Sequence, residues 1–236
     1  MKKLVVVVGV FLFLLSFGLV ATSQAATVLA TDIPSGGTVF NYGDGTTVNA
    51  INGVFAQKTL EGVTGLGVDV GTVPGEIDAF STATIGTKEA ITVTFPTPVH
   101  LDYISVAFLY PSGEHGDSVN ESAFILFNGN QFILTATGAT TATWTGTGTV
   151  TNLSLAQDGS PGPAGGGAFK ITNPYAGLNV TTVQFLADNY GAPTPNTAAN
   201  SDYALIAVAV PEPSTLLLLG SGLLGLVGYG RKRMKK

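Results

Sequence analysis

The chain has 236 residues, no cysteine, ten basic and fifteen acidic side chains, and the missing cysteine excludes disulfides, thiolate nucleophiles and cysteine-held metals. Seven of the ten basic residues lie at the two termini, so the segment from Ala26 to Val210 keeps only Lys58, Lys88 and Lys170 against fourteen acids, a net charge of −11. Such a surface repels phosphate backbones and anionic lipid, which argues against nucleic acid as a partner and favours divalent cations.

Lys2 and Lys3 precede an apolar run from Leu4 to Val20, and small residues follow at Ser23 and Ala25. This is the pattern of a secretory signal peptide over residues 1–25, with cleavage expected after Ala25 by a signal peptidase once the Sec export machinery has engaged the chain.

The segment from 26 to 209 reads as one all-β domain, an antiparallel β-sandwich of roughly nine to eleven strands. Thr38 to Tyr42 and Val48 to Phe55 flank Gly43-Asp44-Gly45 as an opening strand pair. Gly62 to Gly75 is too rich in glycine for a helix and too apolar for a free linker, so it is expected to be a packed loop with one short strand. Ile91 to Phe95 alternates with period two and is expected to close at Pro96 and Pro98. Leu101 to Tyr110 turns nearly all apolar, as a central strand covered on both faces does. Asn128-Gly129 between two apolar runs is the strongest hairpin signal in the chain. Further strands are expected around Leu153, Phe169, Val180 to Phe185, and Tyr203 to Val210.

Five acids, Glu76, Asp78, Asp117, Glu121 and Asp202, fall between these strands and suit a structural Ca²⁺, which takes six to eight oxygen ligands from irregular loops. Their spacing fits no EF-hand, and solvated loop carboxylates are the alternative. From Thr141 to Thr151 threonine occupies every odd position, and a single strand would put all six on one face, a possible ice or polysaccharide surface. Trp144 then points the other way, into the core or toward a sugar ring. His100 and His115 stand alone, and no nucleophile motif or phosphate loop accompanies them, so no catalytic residues are assigned.

Beyond the body, Pro211 and Pro213 fix φ and remove two backbone donors around Glu212, which demands an extended, exposed segment. Thr215 to Gly230 carries no charge and seven leucines. As a helix it is about 24 Å long against a hydrocarbon core of roughly 30 Å, so it crosses a membrane only marginally. Arg231, Lys232 and Arg233 open a basic end that stays cytoplasmic by the positive-inside rule.

This tail, from 210 to 236, resembles the PEP-CTERM sorting signal, also catalogued as an ice-binding protein C-terminal domain: a Pro-Glu-Pro motif (211–213), a short apolar helix (215–230) and a basic terminus (231–236). The resemblance implies an exported precursor held in the inner membrane and cut at or near the motif by an exosortase, in bacteria that make exopolysaccharide. Pro74 to Asp78, Gly116-Asp117 with Glu121, Asn173-Pro174 and Ser201 to Tyr203 also resemble segments common in proteins with this tail, which implies a jelly-roll-like sandwich and no specific activity. The expected role is therefore non-enzymatic, at the cell surface or in the extracellular, biofilm-associated matrix. A calcium-assisted carbohydrate-binding module, with exopolysaccharide as partner, is the alternative, ahead of a secreted hydrolase or an ice-binding protein.

Overall fold

The computed structural model describes residues 27–60, 62–70, 75–79, 88–114, 118–154, 167–187, 201–211 and residue 222. The expected signal peptide with Ala25, the acid Asp117, the motif residues Glu212 and Pro213, the apolar run apart from residue 222, and Arg231, Lys232 and Arg233 lie outside them. No helix among the described residues is long and apolar enough to cross a membrane.

The body opens with β1 (Thr27–Leu29) and a 3-10 turn at Ala30–Asp32, followed by β2 (Val39–Asn41), β3 (Thr47–Ile51), β4 (Val54–Leu60) and β5 (Val63–Asp69). It continues through β6 (Ala90–His100), β7 (Tyr103–Ala107), β8 (Ser122–Phe127), β9 (Asn130–Gly138) and β10 (Thr141–Trp144). It ends with β11 (Thr149–Asn152), β12 (Phe169–Thr172), β13 (Asn179–Ala187) and β14 (Ala204–Ala209).

These strands build two antiparallel sheets. One runs β11-β12-β7-β14-β5-β4 with β1 also on β14, and the other runs β10-β9-β8-β13-β6-β3-β2. The chain changes sheet after β1, β3, β5, β6, β7, β10, β12 and β13, so the long-range pairings are spread over its whole length. Residues 26–211 form one compact unit. Its core is the inner face of both sheets, with Phe55, Leu66, Ile91, Ile104, Phe127, Phe169, Phe185 and Tyr203 fully buried. At about 25 cal/mol per Å², each such aromatic or branched side chain contributes roughly 1.5–3 kcal/mol, which is how a sandwich holds together without covalent staples.

Several sequence expectations meet their physical limits here. Gly62 to Gly75 holds a full strand, β5, because Gly65 and Gly67 leave room for neighbours that a side chain would displace: Ala204 and Phe108 at Gly65, and the Gly75–Glu76 backbone at Gly67. β6 does not close at Pro96 but runs on to His100, with Pro96 and Pro98 exposed in a bulge between the Thr94–Thr182 and Val99–Val180 pairs. There the missing N–H groups cost the ladder nothing. The run from Leu101 to Tyr110 is central and buried as expected, yet β7 ends at Ala107 because Phe108 turns to φ 64°.

The Asn128-Gly129 turn forms as read, with φ 49° and 84°. The Asn128 carboxamide oxygen accepts the N–H groups of Thr181 and Thr182, which locks the hairpin to β13.

The threonine run does not form one ladder. β10 carries Thr141 and Thr143 in one sheet and β11 carries Thr149 and Thr151 in the other, because glycines 146 and 148 let the chain cross between them. Thr145 instead spends its hydroxyl accepting the Ile133 N–H at 2.8 Å. A continuous six-threonine surface is therefore overturned. Trp144 packs half-buried against Phe132, with ring centroids 5.8 Å apart, and donates its indole N–H to the Thr147 carbonyl. That is the core-facing reading of this residue.

Candidate functional site

The first site is the point where the chain leaves the body. β14 lies between β7 and β5, and its last residues are also covered by β1, with Ala209 opposite both Tyr103 and Thr27. The Ala209 carbonyl accepts the Asp102 N–H at 2.9 Å. Ala209 is buried, Val210 half-buried and Pro211 exposed, so the backbone passes from a fixed strand to solvent within two residues. Pro211 cannot donate to any ladder and ends the sheet there.

The second site is at the opposite end of β14. Residues 75–79 fill the gap where β5 and β14 separate: the Val68 N–H bonds the Glu76 carbonyl, the Ile77 N–H bonds the Tyr203 carbonyl at 2.6 Å, and the Ala79 N–H reaches the Ser201 carbonyl. Four of the five sequence-selected acids come to this end, and three of them are buried rather than solvated: Glu76, Asp78 and Glu121.

Each has an identifiable task. Glu76 Oε1 takes the Lys58 ammonium at 2.6 Å, and that ammonium also lies 5.2 Å from the Phe108 ring. Glu121 is fully buried, with its carboxylate accepting the Tyr110 and Asp202 N–H groups. Its backbone N–H returns to the Tyr110 carbonyl at 2.9 Å. Beside it the Ser122 N–H donates to Ser201 Oγ at 2.7 Å, so the start of β8 is tied to the segment leading into β14 as well as to the one leaving β7. Asp202 joins this group through its backbone. The sequence segments 74–78 and 201–203 thus meet as parts of one structural joint.

Sequence reasoning missed Glu89, buried and one residue ahead of β6. Its Oε2 accepts the Asp78 N–H at 2.9 Å, and its own N–H donates to the Asp78 carbonyl. Burial pushes the Asp78 carboxyl up to about 8, helped by the charges of Glu89 and Glu76 and opposed by Lys58. Burial likewise pushes Glu89 up to about 7, against the favourable Asp78 N–H and with a further push from Asp69. A lone acid before an alternating run carries no sequence signal, which is why only the structure exposes the pair. Chemically the pair can hold a proton at neutral pH. Among the described residues no group of three or more histidines and acids is placed to hold a metal ion.

No curated protein and no solved structure was found to match the chain. Residues 209–233, which begin on the last residue of β14, match the family model of the PEP-CTERM protein-sorting motif. The chain therefore carries a PEP-CTERM sorting motif, which implies an exported precursor processed by an exosortase.

Proposed function

We propose that the body is a non-enzymatic structural or adhesive component, delivered by exosortase processing to the cell surface or extracellular matrix. The observation that supports this most directly is the junction at Ala209 to Pro211, where the matched motif follows a central strand with almost no linker. Cleavage at the motif would then release an already folded unit with nothing trailing from it. The carboxylates of Glu76 and Glu121 are engaged in holding strands together, which also suits a scaffold.

Intact mass of the protein recovered from the outer membrane and the medium tests the reading. Species ending near Pro211 are expected, together with a precursor that stays in the inner membrane when residues 211–213 are deleted. A deletion variant that still reaches the exterior in processed form would refute it.

A further inference from the structure

We propose that β11, the outer strand of the first sheet, is a docking edge for a second copy of this chain, which pairs with it antiparallel through its own β11. The inference goes beyond the delivery proposed above and does not depend on it.

The register fixes which backbone groups are open. β12 bonds β7 through Phe169 and Ile171, in step with the bond from the Asn173 N–H to the Asp102 carbonyl. It bonds β11 through Lys170 and Thr172, in step with the bond from the Leu153 N–H to the Ala168 carbonyl. Because such bonds alternate along an antiparallel pair, Thr149 and Thr151 spend theirs on β12, and the N–H and C=O groups of Val150 and Asn152 point away from the sheet. Among the described residues no hydrogen bond reaches these groups; Asn152 is engaged only through its side chain, which accepts the Ser154 N–H.

Open edges are normally blunted by charge, proline, bulges, short length or a covering loop. Residues 35–37 cover β4: the Phe55 N–H bonds the Gly37 carbonyl, the Gly36 N–H bonds the Phe55 carbonyl and the Gln57 N–H bonds Ser35 Oγ. β2 is three residues long, and β10 begins with a register shift at Thr141–Ala142. β11 has no charge, no proline and no shift against β12. Thr149, Thr151, Asn152 and the following Leu153 are exposed.

Charge and symmetry select the occupant. Residues 26–210 carry a net −11, so copies repel one another except where a flank is neutral, and from Ser122 to Gln157 no side chain is charged. Lys170, opposite Thr151 on the neighbouring strand, holds its ammonium 3.9 Å from the centre of the Tyr103 ring, on the side away from the edge. A two-fold axis at Thr151 sets Val150 of each copy against Asn152 of the other, which satisfies every open group of both strands. The same axis sets Thr151 against its own counterpart and Leu153 across from Thr149 of the other copy, so no like charges meet along the seam.

The test uses the full chain in detergent. Because the chain lacks cysteine, Thr151→Cys places a single thiol beside the axis. Facing residues that are not bonded to each other across such a seam have Cα atoms about 4.5 Å apart, within the span of a disulfide. Val39→Cys, on the exposed edge of β2, is the comparison. Mild oxidation is expected to give disulfide-linked dimer several-fold faster at 151 than at 39. Adding Asn152→Pro removes an outward N–H but no bond to β12, and should bring the rate at 151 down to that at 39 while the reduced protein melts as before. Equal rates at 151 and 39, or a rate at 151 that Asn152→Pro leaves unchanged, would overturn the inference. A thiol at 151 that stays monomeric and resists a soluble maleimide would overturn it in favour of another segment of the same chain lying on that edge.

Discussion

Glu121 gives the sharpest test of how the body is held together. Its carboxylate is fully buried and accepts the backbone N–H groups of Tyr110 and Asp202, joining the start of β8 to the segments that follow β7 and precede β14 of the other sheet. Glu121→Ala leaves two buried donors without their acceptor, at about 1–3 kcal/mol each, so the loss is about 2–6 kcal/mol. That is a large part of the 5–15 kcal/mol or so by which an ordinary domain is stable. Glu121→Gln keeps one acceptor oxygen but turns an NH₂ toward the other donor, so about half of that loss is expected. Urea unfolding of the processed body, followed by the fluorescence of Trp144, the single tryptophan, reads both variants on one scale. An alanine variant within about 0.5 kcal/mol of wild type, the range of ordinary surface substitutions, would refute the assignment of Glu121 as a structural joint.

Three further predictions follow from the same end of the molecule. Asp78 and Glu89 bind protons more tightly in the folded state, at about 8 and about 7, than as free carboxyls. Their stabilising contribution is therefore complete below about pH 4 and is lost as pH rises through the folded values. The body should melt at a lower temperature at pH 9 than at pH 5, a loss on the order of a few kcal/mol, and Glu89→Gln should flatten that slope; an unchanged slope in the variant sinks the assignment. Gly67→Ala puts a methyl group into the Gly75–Glu76 backbone, and a loss of about 2 kcal/mol or more is expected, as for overpacked cores, with amide exchange rising first at residues 75–79. Chelation with EDTA should leave the melting temperature unchanged, since Glu76 is held by Lys58 and Glu121 by two N–H groups. A fall on chelation would restore a structural calcium.

What could be read from the sequence was whatever is encoded locally. The turn at Asn128-Gly129, the alternation from Ile91, and the apolar run through Leu101 to Tyr110 each state their own conformation, and the tail states its own destination through the order of its parts. What was not legible depends on residues far apart in the chain. Gly65 and Gly67 look like loop residues until Ala204 and Glu76 are seen packed over them. The threonine run reads as one strand because sequence does not say that the chain changes sheet at 145–148. The five acids stand out in the sequence only as loop residues open to solvent or calcium. The three that are buried, Glu76, Asp78 and Glu121, pair with Lys58, Glu89, Tyr110 and Asp202, partners 11 to 81 residues away, and long-range pairing of this kind has no periodic signature.

The place of β14 has a further consequence for the order of events during export. The strand made last occupies the middle of its sheet, and the strand made first, β1, pairs with nothing until β14 arrives, since Thr27 to Leu29 are opposite Ala207 to Ala209. Closing such a sheet joins residues separated by nearly the whole body, the kind of contact that folds slowly. Until its final residues have crossed, the emerging chain presents β5 and β7 with open edges, which invite pairing with other chains. The sheet therefore cannot be completed before the motif itself arrives, so the edges of β5 and β7 stay open until the chain has been exported as far as the motif.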